Sequence, residues 1–209
     1  MYKRILLVAS TLVFAFAILF TSVFRAASVK YVFSQMTEIQ EEGQKNKPVE
    51  IDYVFPYPGR ISPDNPFWPL KAFRDRMWLF LTSNPGKKAE LKLLFADKRV
   101  AMSKALFEKD KSEIAFSTLT KAEKYLEEAC GIEQENRRNG LDTSEFLTTL
   151  SKASLKHRQT IDEILTIAPE DARPEIRRTQ DYSKEVYSKT RNALQEKGLP
   201  IVENPFESE

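Results

Sequence analysis

The sequence predicts an all-α protein: an antiparallel bundle of four to five helices, preceded by an apolar N-terminal helix and an extended strap rich in proline and aromatic residues. Three observations predict it. Apolar residues recur at three- and four-residue spacing through long stretches after residue 66, the period of a helix with one buried face. No stretch alternates apolar and polar residues long enough to claim a strand. Asn-Pro, Gly and Pro punctuation then divides the periodic stretches into separate helices joined by short turns.

The first element is the run from Ile5 to Phe24, twenty residues without a charge. At about 1.5 Å rise per residue it spans roughly 30 Å, the thickness of a bilayer's hydrocarbon core. Lys3 and Arg4 precede it and no acid occurs before residue 35. The positive-inside bias therefore holds the N-terminus in the cytoplasm and sends the rest across. The run is longer than the roughly 7–15 residue core of a cleaved signal. Residues 1–34 are thus expected to be a single-pass anchor. Small residues at Ala26-Ala27-Ser28 and Val32-Phe33-Ser34 leave secretion after cleavage as the alternative.

Residues 35–60 should form a polar stalk followed by the strap. Seven of the eleven prolines fall between Pro48 and Pro85. Tyr53 to Gly59, YVFPYPG, is expected to run extended over a surface with its rings packed down.

The bundle should occupy residues 61–198. Its first helix is expected near Pro66, capped by Asp64 or Asn65, with Leu70, Phe73, Met77 and Leu81 as its apolar stripe. Asn84-Pro85 repeats that start signal for a second helix ending near Lys109-Asp110. A third opens at about Ser112 and stops at Gly140. Asp142 followed by Glu145 reads as a capping box for a fourth, which Pro169 ends. A fifth, sparsely apolar, should run from about Glu170 to Lys197, with Pro174 in its first turns. Gly198-Leu199-Pro200 closes it, leaving residues 199–209 as a loose tail.

Charge and composition narrow the functions. The chain carries +2 overall, but residues 1–34 hold four basic side chains and no acid. The remainder has 28 basic (32 less those four) against 30 acidic residues, a net of −2. Such a mixture gives a polyanion little to bind, so nucleic acid is not an expected partner. Cys130 is the single cysteine, so no intramolecular disulfide, Cys-x-x-Cys redox motif or thiolate zinc set can form. No phosphate loop or nucleophile elbow is present. The sequence predicts neither a metal nor a cofactor, and no enzyme.

A run of short motifs carries a resemblance. Tyr57-Pro58-Gly59, Pro63-Asp64-Asn65-Pro66-Phe67-Trp68-Pro69-Leu70-Lys71, Arg74-Asp75-Arg76, Asn84-Pro85, Lys88-Ala89-Glu90-Leu91 and Ala96-Asp97-Lys98-Arg99 follow one another in order. The run resembles a bacterial family of exported or membrane-tethered helical proteins known only as a domain of unknown function. The likeness is strongest over residues 53–130 and continues through Lys156-His157 and Ala168-Pro169-Glu170. It implies a helical fold outside the cytoplasm and supplies no catalytic residues. Related domains occur on the outer side of membrane-bound anti-sigma factors. Nothing before Lys3 offers a cytoplasmic sigma-binding region, so that role is not expected here.

Three constellations merit weighing. Arg74, Asp75, Asp97 and Arg99 lie on consecutive helices, so an Asp75–Arg99 or Arg74–Asp97 pair across the hairpin is expected. It would be either a structural ion pair or a small pocket for an anionic ligand. His157 is the only histidine, with no ligand set at i±3 or i±4; a capping, surface or interhelical hydrogen-bond role is expected. Phe67, Trp68, Trp78 and Phe80 form either an interaction surface or a core clamp on the strap. The expected function is a membrane-tethered helical module that binds a protein partner at the cell envelope. An envelope stress sensor or chaperone-like binder is the alternative.

Overall fold

A computed structural model describes Thr11 and residues 51–207. The chain divides into two units, Met1–Val32 and Phe33–Glu209. The expected anchor, apart from Thr11, and the stalk to residue 50 lie outside the described residues. No helix among the described residues is long and apolar enough to cross a membrane. Among residues 51–207 five helices are present: α1 (Trp68–Leu81), α2 (Pro85–Phe107), α3 (Ser112–Arg138), α4 (Ser144–Ile167) and α5 (Arg173–Glu196).

The starts follow local chemistry. Asn84 accepts a hydrogen bond from the Lys87 amide at 2.9 Å and Pro85 opens α2, as the Asn-Pro signal predicts. The same signal at Asn65-Pro66 acts differently. The Asn65 side chain accepts from the Phe67 amide at 2.9 Å, closing a turn, so α1 begins two residues later and Pro69 takes its first turn. The expected capping box of α4 is also displaced. Asp142 accepts from the Ser144 amide at 3.1 Å, while Thr143 occupies the cap position and donates instead to Glu133 on α3 at 2.7 Å.

Three of the ends share one device. After α3, the Leu141 amide reaches Asn136 O and the Gly140 amide reaches Arg137 O, with Gly140 at φ 79°. After α5, Leu199 and Gly198 repeat the pattern on Leu194 and Gln195. After α2, Lys111 and Asp110 do so on Leu106 and Phe107, with Asp110 at φ 56°. Each pair of bonds satisfies carbonyls that the helix leaves open, and requires a left-handed residue after the cap.

Two antiparallel hairpins make the bundle. In the first, Ser103 of α2 donates to Ala115 O of α3 at 2.8 Å, and Lys92 pairs with Glu128. In the second, Gln180 of α5 donates to Asp162 of α4 at 2.6 Å, and Leu147 packs on Ala193 and Leu194. The hairpins lie side by side, α2 parallel to α4 and α3 parallel to α5. Lys104–Glu163 and Arg137–Glu196 mark those two seams. The shared core is Leu93, Ala96, Leu126, Ala129, Leu150, Ala153 and Val186. Each fully buried leucine contributes about 1.5–3 kcal/mol, and the alanines let the backbones approach.

The strap carries neither helix nor strand, and its rings divide: Tyr53 and Phe55 are partly buried, whereas Tyr57, expected to pack down with them, is 71% exposed. Ile51 packs on Leu155 and Tyr187, and Asp52 pairs with Lys152 at 2.7 Å. At its end Gly59 adopts φ 90°, a conformation that admits few side chains, and Lys71 of α1 donates to the Pro58 and Ile61 carbonyls. Residues 199–207, expected as a loose tail, lie back on the bundle. Leu199 and Val202 pack against Leu147, Ala193 and Leu194; Tyr187 donates to Val202 O at 2.7 Å; and the Arg158 guanidinium covers the Phe206 ring at 4.4 Å. Those contacts, two apolar, one hydrogen bond and one cation–π, offset the loss of tail entropy.

Candidate functional site

Helix α1 packs on the bundle by a narrow edge. Asp75 and Leu79 are its buried residues, and Leu79 meets Leu91 and Phe95 of α2. The stripe expected to face the core instead faces water: Leu70 is 70% exposed, Leu81 68%, Phe73 50% and Met77 39%. Phe67, Trp78 and Phe80 are exposed with them. The reason is angular. At about 100° per residue these side chains spread over roughly 160° of the helix, and the opposite edge, where Leu79 sits, is the one that α2 accepts. Together with the Tyr57–Ile61 turn and Lys98, this face borders an open groove of about 930 Å³.

The three aromatic candidates thus divide. Phe67 projects into solvent. Trp68 is partly covered, with Lys71 over its ring at 5.2 Å and Arg99 at 5.9 Å. Trp78 meets Phe95 edge-on at 6.3 Å with its outer half open.

The charged quartet is arranged otherwise than expected. Arg74 pairs with its own neighbour Asp75 at 2.7 Å. Arg99 turns toward α3, lying over the Tyr125 ring at 4.5 Å and donating to Phe95 O at 3.2 Å. Burial pulls its pKa below the usual value, against the opposing pull of Tyr125 and Asp75. Asp97 points elsewhere altogether. Residues two apart on a helix differ by about 200° in direction, so Asp97 and Arg99 cannot both face α1.

Asp97 belongs to a buried network that the sequence reading missed. His157 of α4 is fully buried, with Nδ1 2.6 Å from Glu123 Oε1 on α3 and Nε2 3.1 Å from Asp97 Oδ1 on α2. The Tyr53 hydroxyl donates to the other Asp97 oxygen at 2.6 Å, and Phe55 stands edge-on to the imidazole at 5.3 Å. Burial alone would lower the histidine's pKa; the Glu123 and Asp97 carboxylates outweigh it and raise it to about 9. Burial and Asp97 together raise the Tyr53 phenol. The network therefore holds an imidazolium between two acids and ties α2, α3, α4 and the strap at one point.

Of the capping, surface and interhelical roles expected for the histidine, the structure shows the interhelical hydrogen bond; its partners were not legible, because they come from other helices. A signal did exist. Glu123 falls on the same apolar stripe as Leu119, Leu126 and Cys130, and His157 on that of Leu150, Ser154 and Ile161. A charge inside such a stripe implies a buried partner. The two ring nitrogens face opposite acids, so they do not converge on one point where a metal ion would sit. No group of three or more His, Cys, Asp or Glu able to hold a metal is found among the described residues. Asp97, which His157 meets, and Tyr53 also line an open cleft of about 550 Å³ with Glu90 and Glu145.

Comparison with curated proteins and with solved structures finds no match. Residues 60–171 match a domain of unknown function. That span runs from the turn before α1 through α4, and includes Asp97, Glu123 and His157 but neither Tyr53 nor α5. By this match, which covers more than half of its length, the chain belongs to the family of the domain of unknown function DUF5667.

Proposed function

We propose that the chain is a membrane-tethered extracytoplasmic module that works by binding, with the outward face of α1 as its working surface and the two-hairpin bundle as its mount. The observation that carries this reading is the exposure of Phe67, Leu70, Phe73, Phe80 and Leu81 on a helix whose opposite edge is already docked. Contiguous apolar surface of this kind marks a contact site on soluble domains. The apolar run Ile5–Phe24 behind a basic start supports the tether, and the buried ionic network supports a fixed geometry for the mount.

The test is a photo-crosslinking amino acid at position 80 of the full chain in producing cells, with position 184 on exposed α5 as the control. Adducts at 80 and none at 184 support a working surface on α1. Equal or absent labelling at both positions removes it.

A further inference from the structure

On that reading of α1 as the working surface, we infer that its occupant is an anionic lipid surface: α1 lies along the bilayer, apolar face down. Three features select lipid over a folded partner. The face opens to solvent: the groove lined by Phe67, Leu70, Phe73 and Met77 is open rather than enclosed. Its basic residues are placed for headgroups. Viewed down the helix at about 100° per residue, Arg76 borders the arc beside Phe80 and Lys71 borders it beside Trp78, its ammonium on the Pro58 and Ile61 carbonyls, while Arg74 stands within the arc between Leu81 and Phe67, paired with Asp75. Long basic side chains at the rim of an apolar face, with an indole at its edge, are the arrangement of an interfacial helix.

Charge is the second feature. Between Tyr57 and Lys88 stand six basic residues, Arg60, Lys71, Arg74, Arg76, Lys87 and Lys88, against two acids. Both acids are engaged: Asp64 with Lys111, and Asp75 beneath Arg74. The segment carries +4 and the rest of the chain −2, so the positive charge outside the N-terminus is gathered around this one helix. Anionic headgroups complement it.

Reach is the third. Residues 35–50 separate the expected span from Ile51, and even fully extended they cover at most roughly 55 Å. A tether of that length keeps the module near the bilayer, where a weak interfacial helix is favoured by effective concentration.

The chain's two tryptophans, Trp68 and Trp78, are both in α1, so the native protein carries its own reporter. Full-length chain with Trp68→Phe is reconstituted in vesicles of phosphatidylglycerol and phosphatidylcholine, or of phosphatidylcholine alone, each with and without brominated acyl chains. The expected result in anionic vesicles is a blue shift of Trp78 emission and several-fold quenching by bromine. Quenching should fall in phosphatidylcholine or high salt, and be lost in Leu70→Ser/Phe80→Ser with the helical circular dichroism unchanged. Trp78 emission that stays water-like and unquenched overturns the inference. So does quenching equal in both lipids, which removes the anionic preference, or a blue shift without quenching that grows with protein density, which assigns the face to a second copy. Such a failure is separable from failure of the binding reading. A protein adduct at position 80 would keep α1 as the working surface; no adduct would remove both.

Discussion

His157 Nδ1 lies 2.6 Å from Glu123 Oε1, and neither side chain reaches solvent. Removing the imidazole would leave Glu123 and Asp97 facing each other inside the bundle with no cation between them. Breaking a buried charged pair from one side costs about 3–5 kcal/mol, more than the cavity a histidine leaves. His157→Ala should therefore lower the unfolding free energy by that amount, read as a lower urea midpoint at unchanged slope. A loss below about 1 kcal/mol would show that the network carries no ion pair.

The same contact sets a pH dependence. The groups facing His157 are Asp97 from α2, Glu123 from α3, and Tyr53 and Phe55 from the strap. Its folded pKa of about 9 stands above the unfolded value of roughly 6.5. The stabilisation is then fully present below pH 6.5 and is lost as pH rises through about 9. On the order of 3 kcal/mol should disappear across that window. Thermal melts from pH 6 to 10 check it, and His157→Gln should flatten this part of the profile. A wild-type profile as flat as the variant's would sink the idea.

Tyr53 is the strap's polar hold on the bundle, donating to Asp97 at 2.6 Å. Tyr53→Phe keeps the ring contact with Phe55 and deletes the donor. A hydrogen bond to a charged group is worth about 1.5–3 kcal/mol, so a stability loss of about 2 kcal/mol is expected. Amide hydrogen exchange should rise first in residues 51–59, ahead of α2 to α5, because the strap has few other polar contacts. Unchanged exchange there would show that packing of Ile51 and Phe55 alone holds the strap.

How much of this was legible follows from the range of the interactions. Asn84-Pro85, Gly140 and Gly198 set helix limits through bonds within a few residues, and those limits, like the start of α3 at Ser112, stand where the sequence puts them. Asn65-Pro66 did not, since the Asn65 side chain closes its own turn before the helix can start. Periodicity located the stripe of α1 but could not say what covers it. A stripe only reports that one face is apolar, and the fold docks Leu79 on the opposite edge. The charged quartet failed for a similar reason. Hairpin geometry suggested Asp75 with Arg99 or Arg74 with Asp97, whereas Arg74 pairs with Asp75, Arg99 lies over Tyr125 within the field of Asp75, and Asp97 meets a histidine sixty positions away.

Helix α1 should separate stability from contact. Leu79 is buried against Leu91 and Phe95, so Leu79→Ala should cost about 2 kcal/mol in local or global stability. Phe80, one residue on, is 81% exposed, and Phe80→Ala should change stability by no more than about 0.5 kcal/mol. The same Phe80 change should reduce labelling by a crosslinker placed at position 70. Chemical denaturation of both variants checks the first pair of values. A large loss in Phe80→Ala would mean that its ring is covered in the folded chain.

Cys130 offers a last check on the core where the hairpins meet. Its thiol is buried beside Leu126 and Val186, and burial is the chief cause that pushes its pKa up to about 11, with Lys189 opposing and Glu133 and Glu185 adding to the rise. At pH 8 the thiolate fraction is then about a hundredfold below that of an ordinary cysteine, before access is considered. Iodoacetamide should leave the native chain unmodified over hours and label it rapidly in urea. Because alkylation requires the seam between α3 and α5 to open, the labelling curve should track global unfolding rather than precede it. Rapid labelling in buffer would place Cys130 in a locally open region, and the two hairpins would then separate before either unfolds.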